Sequence, residues 1–178
     1  MAPTPAPTHS PARRAPDLGI VDGLVQLSFA VQAVLVRVAS TSGLTLLQAR
    51  LLGVLRDRQA GMAELAHLLE LDKSSTTGLI DRATGRGLVR RVPVPEDGRA
   101  VRVVLTDEGH RLAEVLGMEV ARQVEAVTAG LSATNRRRLS LLASQVVRDD
   151  AATRGIDLRA AAAPGGRHRG PSTTGAHR

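Results

Sequence analysis

The chain has 178 residues, 43% hydrophobic and 23% charged, a globular composition for one domain with tails. It has no cysteine, which excludes disulfides, thiolate metal sites, Fe–S clusters and cysteine nucleophiles. The charge of +7, from 24 basic and 17 acidic residues, suits an anionic partner, but five Arg against one Asp beyond residue 150 supply more than half of it.

Residues 1–17, rich in Pro, Ala and Thr, read as a disordered lead with no apolar core for a signal peptide. Residues 18–43 carry Leu24, Leu27, Val31, Val34, Leu35 and Val38 at i, i+3, i+4, i+7 spacing, the stripe of an amphipathic helix that ends near Gly43. No run reads as a membrane span, so the expected place is the cytosol. Thr45 is positioned to cap a second helix with Leu46, Leu47, Leu51, Leu52, Val54 and Leu55 on its apolar face. A turn at Gly61 leads into a short helix that turns Met62, Leu65, Ala66 and Leu69 inward.

Asp72 caps the next helix, over roughly 73–85, and Gly87 stops it. The period then changes. Residues 88–94 and 101–106 are β-branched and Arg-rich, and they flank Pro95-Glu96-Asp97-Gly98-Arg99, which predicts a hairpin. Thr106 caps a long helix to about residue 129, with Leu112, Val115, Leu116, Val120, Val124 and Val127 in line. Ser132 caps a last one, with Leu139, Leu142, Val146 and Val147. Residues 153–178 read as a basic disordered tail whose charge lies on Arg154, Arg159, Arg167, Arg169 and Arg178, none of them held in a groove.

The expected fold is mainly α with a small β-hairpin wing. A winged helix-turn-helix over 44–106 is flanked by dimerisation helices at 18–43 and 107–152. Such a unit lays its second helix in the major groove of DNA. The outer stripes have no partner within the chain, so a second chain is the economical cover.

With Ile80 set inward on the 73–85 helix, Thr76, Leu79, Ala83 and Gly87 share its side. Ser74, Ser75, Gly78, Arg82 and Gly85 face out, with Asp81 at the edge. The two serines have two readings: contact with bases or phosphates, or a preference for first-turn positions. Arg82 is either a phosphate clamp or the partner of Asp81 or a wing acid. Arg90 and Arg91 point to opposite faces of the first wing strand. Arg99, at the hairpin tip, either enters the minor groove or, with Asp97, is an ordinary exposed turn residue. Asp97 is set to orient an arginine, Arg99 or Arg91. Lys73 and Thr77 complete the candidate DNA-binding set. Phe29, the single aromatic residue, leaves no stacking platform for single strands.

His9, His67, His110, His168 and His177 have no metal-ligand spacing, and no phosphate-binding glycine loop or Ser–His–acid set is legible. Neither an enzyme nor a cofactor is expected.

Two segments, LDKSSTTGLIDRATGRGLVRRV at 71–92 and PEDGRAVRVVLTDEG at 95–109, together resemble the MarR family of bacterial transcription regulators. The resemblance spans about residues 20–150. It implies a homodimer with intertwined outer helices and two winged lobes on a palindromic site in double-stranded DNA. It implies a sequence-specific regulator, a repressor responsive to a small ligand held between lobe and dimer region. A small apolar or aromatic anion is the expected effector, not a thiol oxidant. Members often carry a longer polar side chain where Gly78 stands, and an Asp where Val94 stands. The alternative reading is a winged-helix module for protein contact, its groove face short of long side chains at Gly78 and Gly85.

Overall fold

The computed structural model describes residues 17–94 and 97–156, without the side chains of 97–99. The expected lead before residue 17, the hairpin tip and the tail from 157 onward lie outside the described residues.

Helix α1 (Gly19–Thr41) is followed by α2 (Leu46–Leu55), a two-residue strand β1 (Ala60–Gly61), α3 (Met62–Leu69) and α4 (Lys73–Gly85). The wing strands are β2 (Val89–Val94) and β3 (Asp97–Leu105), and α5 (Asp107–Val127) and α6 (Ala133–Thr153) close the chain. The sheet is antiparallel in the order β1-β3-β2. Val89 pairs with Leu105 and Arg91 with Val103, and Ala60 reaches Val103 from the other edge. The predicted hairpin is therefore two strands of three. A two-residue strand has no period to read.

The helix starts are fixed by side chains. Thr45 and Gln48 form a reciprocal capping box on α2. Asp72, Thr106 and Ser132 accept from the backbone amides of Ser75, Gly109 and Asn135. Gly87, at φ +69, carries the left-handed turn after α4. It is exposed, and so belongs to that turn and not to the inward face assigned to it from the sequence.

One core joins the winged lobe to the long helices. Val34, Val38 and Ala39 of α1 pack with Leu51, Leu52 and Leu55 of α2, Leu65 and Leu69 of α3, and Leu79, Ile80 and Ala83 of α4. Leu88, Val89, Val103 and Leu105 bring in the sheet, and Ala113 and Leu116 bring in α5. Burial of each Leu or Val contributes about 1.5–3 kcal/mol.

The junction of wing and α5 is built on the Leu88 carbonyl. The Thr106 amide donates to it at 3.1 Å. The Thr106 hydroxyl donates to the Gly87 carbonyl at 2.6 Å and accepts the Gly109 amide at 3.0 Å. Gly109 lies so close that a methyl there would overlap the Leu88 carbonyl oxygen.

Two sequence expectations are corrected. By length and composition α1 is apolar enough to cross a bilayer, because only Asp22 and Arg37 are charged among its 23 residues. Its C-terminal half nevertheless closes the core, through Val34, Val38 and Ala39. The tail also begins later than residue 153. Helix α6 includes Thr153, Gly155 turns the chain at φ +66, and the Ile156 amide returns to the Ala151 carbonyl at 2.8 Å. Arg154 is held by Glu70 and Asp150 and is no part of a free tail.

Thr106→Ala is expected to lower unfolding free energy by about 1–2 kcal/mol in urea titration, with the m-value unchanged. Gly109→Ala is expected to cost more than Thr106→Ala, because Leu88 cannot move without breaking the bond from the Thr106 amide to its carbonyl. A Gly109→Ala protein as stable as the parent would contradict the close approach.

Candidate nucleic-acid interface

Helix α4 buries Thr76, Leu79, Ile80 and Ala83, and it exposes Lys73, Ser74, Ser75, Thr77 and Arg82. At its start one carboxylate organises the first turn. Asp72 Oδ1 accepts the Ser75 amide at 2.8 Å and the Ser74 hydroxyl at 2.6 Å. Its Oδ2 accepts the Ser75 hydroxyl at 2.7 Å. These bonds, the Ser74 hydroxyl first, hold the Asp72 carboxyl well below the ordinary carboxylate range.

Of the two readings left open for the serines, the capping one describes their protons. Both hydroxyls are committed as donors to Asp72, so each can offer a partner only lone pairs. A phosphate oxygen needs a donor, whereas a base amino group needs an acceptor. Thr77 donates to the Lys73 carbonyl at 2.9 Å and stays exposed.

Arg82 folds back over Gly78. A methyl at Gly78 would stand 3.2 Å from Arg82 Nη1, so the guanidinium occupies the place of the missing side chain. Arg82 has no ion pair among the described residues. Asp81 is taken by Arg91, whose Nη2 lies 2.7 Å from Asp81 Oδ1. That pair ties the first wing strand to α4. Pairing with Val103 places Arg91 on the sheet face that looks toward α4, while Arg90, opposite Val104, looks the other way. The side chains of Asp97 and Arg99 lie outside the described residues.

Sequence reasoning missed two features. Arg86 Nη1 donates to the Gly43 carbonyl at 2.7 Å and pins the end of α4 to the α1–α2 turn. No local pattern marks that pair, 43 residues apart. The second feature is an apolar cavity of about 200 Å³ between α1, α2 and α5, lined by Leu35, Val38, Leu52, Leu116 and Val120 with Arg50 and Arg56. Arg56 lies close over Gly117 and is bound to Asp57 at 2.9 Å, while Arg50 is exposed and has no ion pair among the described residues. Among the described residues no three His, Asp or Glu gather as metal ligands.

Residues 42–100 match the profile of the MarR family. The chain is 32% identical over 109 residues to the HTH-type transcriptional repressor NicR of Pseudomonas putida, covering 60% of this chain and 68% of NicR. Its fold is similar to that of MarR from E. coli, with a TM-score of 0.65 and 25% identity over 74% of this chain and 98% of MarR. A MarR mutant complexed with operator DNA aligns with a TM-score of 0.57 at 26% identity, over 69% of this chain and 89% of that one. NadR in complex with 4-hydroxyphenylacetate aligns with a TM-score of 0.63 at 28% identity, over 80% and 96% of the two chains.

The Asp72 bonds set a pH dependence. Its folded pKa is depressed, so its contribution is complete above the unfolded value near 3.8 and is lost as pH falls toward the folded value. The stability difference between the parent and Asp72→Asn is therefore expected to stay constant from about pH 8 to about pH 5 and to shrink only in stronger acid. A difference that vanishes already near neutrality would contradict the capping network.

Proposed function

The chain belongs to the MarR family and is a DNA-binding transcriptional regulator, and from that premise we propose how its residues do the work. It acts in the cytoplasm as a homodimer on a two-fold operator, and it acts as a repressor that a small anion releases. The observation that carries this is the division of α4 into a fully packed inner face and an uncovered outer one beside the Arg91 strand.

Each recognition helix enters a major groove. Lys73 and Arg82, whose guanidinium lies across Gly78, contact phosphates at its margins, and Thr77, its proton held by the Lys73 carbonyl, accepts from a base amino group. Ser74 and Ser75, with their protons held by Asp72, accept from base amino groups. Arg91, fixed by Asp81, faces the backbone beside the wing. Arg99 takes the minor groove, with Asp97 as its orienting acid. A protein-contact role has no comparable support, since the matching relatives are transcriptional regulators and one similar structure holds operator DNA.

The effector fits the cavity between α1, α2 and α5. Its walls take an aromatic ring, and Arg50, with no ion pair among the described residues, offers a guanidinium for a carboxylate. The 4-hydroxyphenylacetate held by NadR has that composition. The repressor assignment follows NicR.

The test is selection of duplexes from a random library by the full chain. A two-fold consensus with half-sites about one turn apart, 10–10.5 bp, is expected, and an asymmetric single half-site would contradict the proposal. Arg82→Ala is expected to weaken all duplexes alike and to flatten the salt slope by about 0.9. Arg99→Ala is expected to cost roughly 1–3 kcal/mol of operator affinity with an unchanged far-UV spectrum. For the effector, 4-hydroxyphenylacetate is expected to raise the melting temperature and to weaken operator binding, and Arg50→Ala to blunt both. An equal response to the neutral 4-hydroxyphenylacetamide would show that the charge is not read.

A further inference from the structure

Helix α6 buries a single residue, Ala151, two residues before its end. At that end it meets the helix-turn-helix. The Arg154 guanidinium reaches Glu70 Oε1 at 2.5 Å and Asp150 Oδ2 at 3.5 Å. The His67 Nε2–H donates to the Arg154 carbonyl at 3.2 Å. Ile156, turned back after Gly155, lines one groove with Val54, Leu68 and Leu69.

Glu70 is the C-cap of α3 and, among the described residues, the only non-glycine with a positive φ, at 56°. An L-residue adopts that conformation at a cost. It is adopted here where the chain must turn from α3 to α4, since Asp72, two residues on, caps α4. Arg154 therefore grips the turn that aims the recognition helix. The middle of the lever is apolar: Leu141, Leu142, Val146 and Val147 of α6 are all more than half exposed.

We infer that Arg154 is a positioning residue for DNA binding, clasping the α3–α4 turn to α6 so that the helix seated on the partner subunit sets the direction of α4. The inference rests on the homodimeric reading above. Arg154 touches no DNA. Its effect is on the separation and tilt of the two recognition helices, and so on which half-site spacing the dimer accepts. An ion pair this exposed adds little to stability, so spacing and not melting is the quantity to read.

The experiment uses the full chain and a two-fold duplex selected by the wild-type protein, with and without one base pair inserted between its halves. The insertion turns one half by about 34–36° against the other. Wild type is expected to lose about tenfold or more in affinity for the inserted duplex. Arg154→Ala and Glu70→Gln are expected each to narrow that ratio about threefold, with dimer mass and far-UV spectrum unchanged. Exchange of the pair, Glu70→Arg with Arg154→Glu, is expected to restore part of it. Glu70→Gln keeps the shape of the turn and stays readable if Arg154→Ala folds poorly. A ratio unchanged in both folded single variants overturns the inference, as does a fall in melting temperature with no change in ratio. If wild type itself selects no two-fold duplex, the homodimeric reading fails and takes the inference with it.

Discussion

Apolar surface left uncovered among the described residues governs this fold. Ile20, Val21, Leu24, Val25 and Phe29 of α1 and Leu141, Leu142, Val146 and Val147 of α6 stand exposed on helices whose other ends are firmly placed. Such patches mark interaction sites, and each 100 Å² covered contributes about 2.5 kcal/mol before the costs of association. Obligate dimers bury about 2,000 Å² or more. In the homodimer proposed above a second copy supplies the matching stripes, and the two-fold symmetry of the proposed DNA site and the distance between recognition helices follow from that pairing.

The winged lobe is rigid because its parts share a few backbone groups. The Leu88 carbonyl receives the Thr106 amide while Gly109 lies against it, so the end of α4, the first wing strand and the start of α5 move together. Arg86 adds the α1–α2 turn to the same body, and the Asp81–Arg91 pair adds the wing. The 200 Å³ cavity lies where α1, α2 and α5 meet beside this shared core.

The caps at Thr45, Asp72, Thr106 and Ser132 were legible because each precedes an apolar period of its own. The inward face of α4 was legible through Thr76, Leu79, Ile80 and Ala83 for the same reason. Strand β1 was not, since two residues carry no alternation. Pairs distant in sequence were not legible either: Arg86 with Gly43, and Arg154 with Glu70. Within the candidate site, residue type exposed the serines but not the direction of their protons, which Asp72 decides. Asp81 stood beside Arg82 in sequence, yet the hairpin delivers Arg91 to it. The cavity draws on three helices and has no single-segment signature.

Sedimentation of the full chain at micromolar concentration, with the far-UV spectrum recorded on the same sample, tests the central claim most directly. The account expects a folded species at twice the 18.7 kDa chain mass, and dissociation or loss of helix when Leu142→Glu or Val146→Glu places a charge on the uncovered face of α6. A folded, helical monomer at that concentration would contradict it.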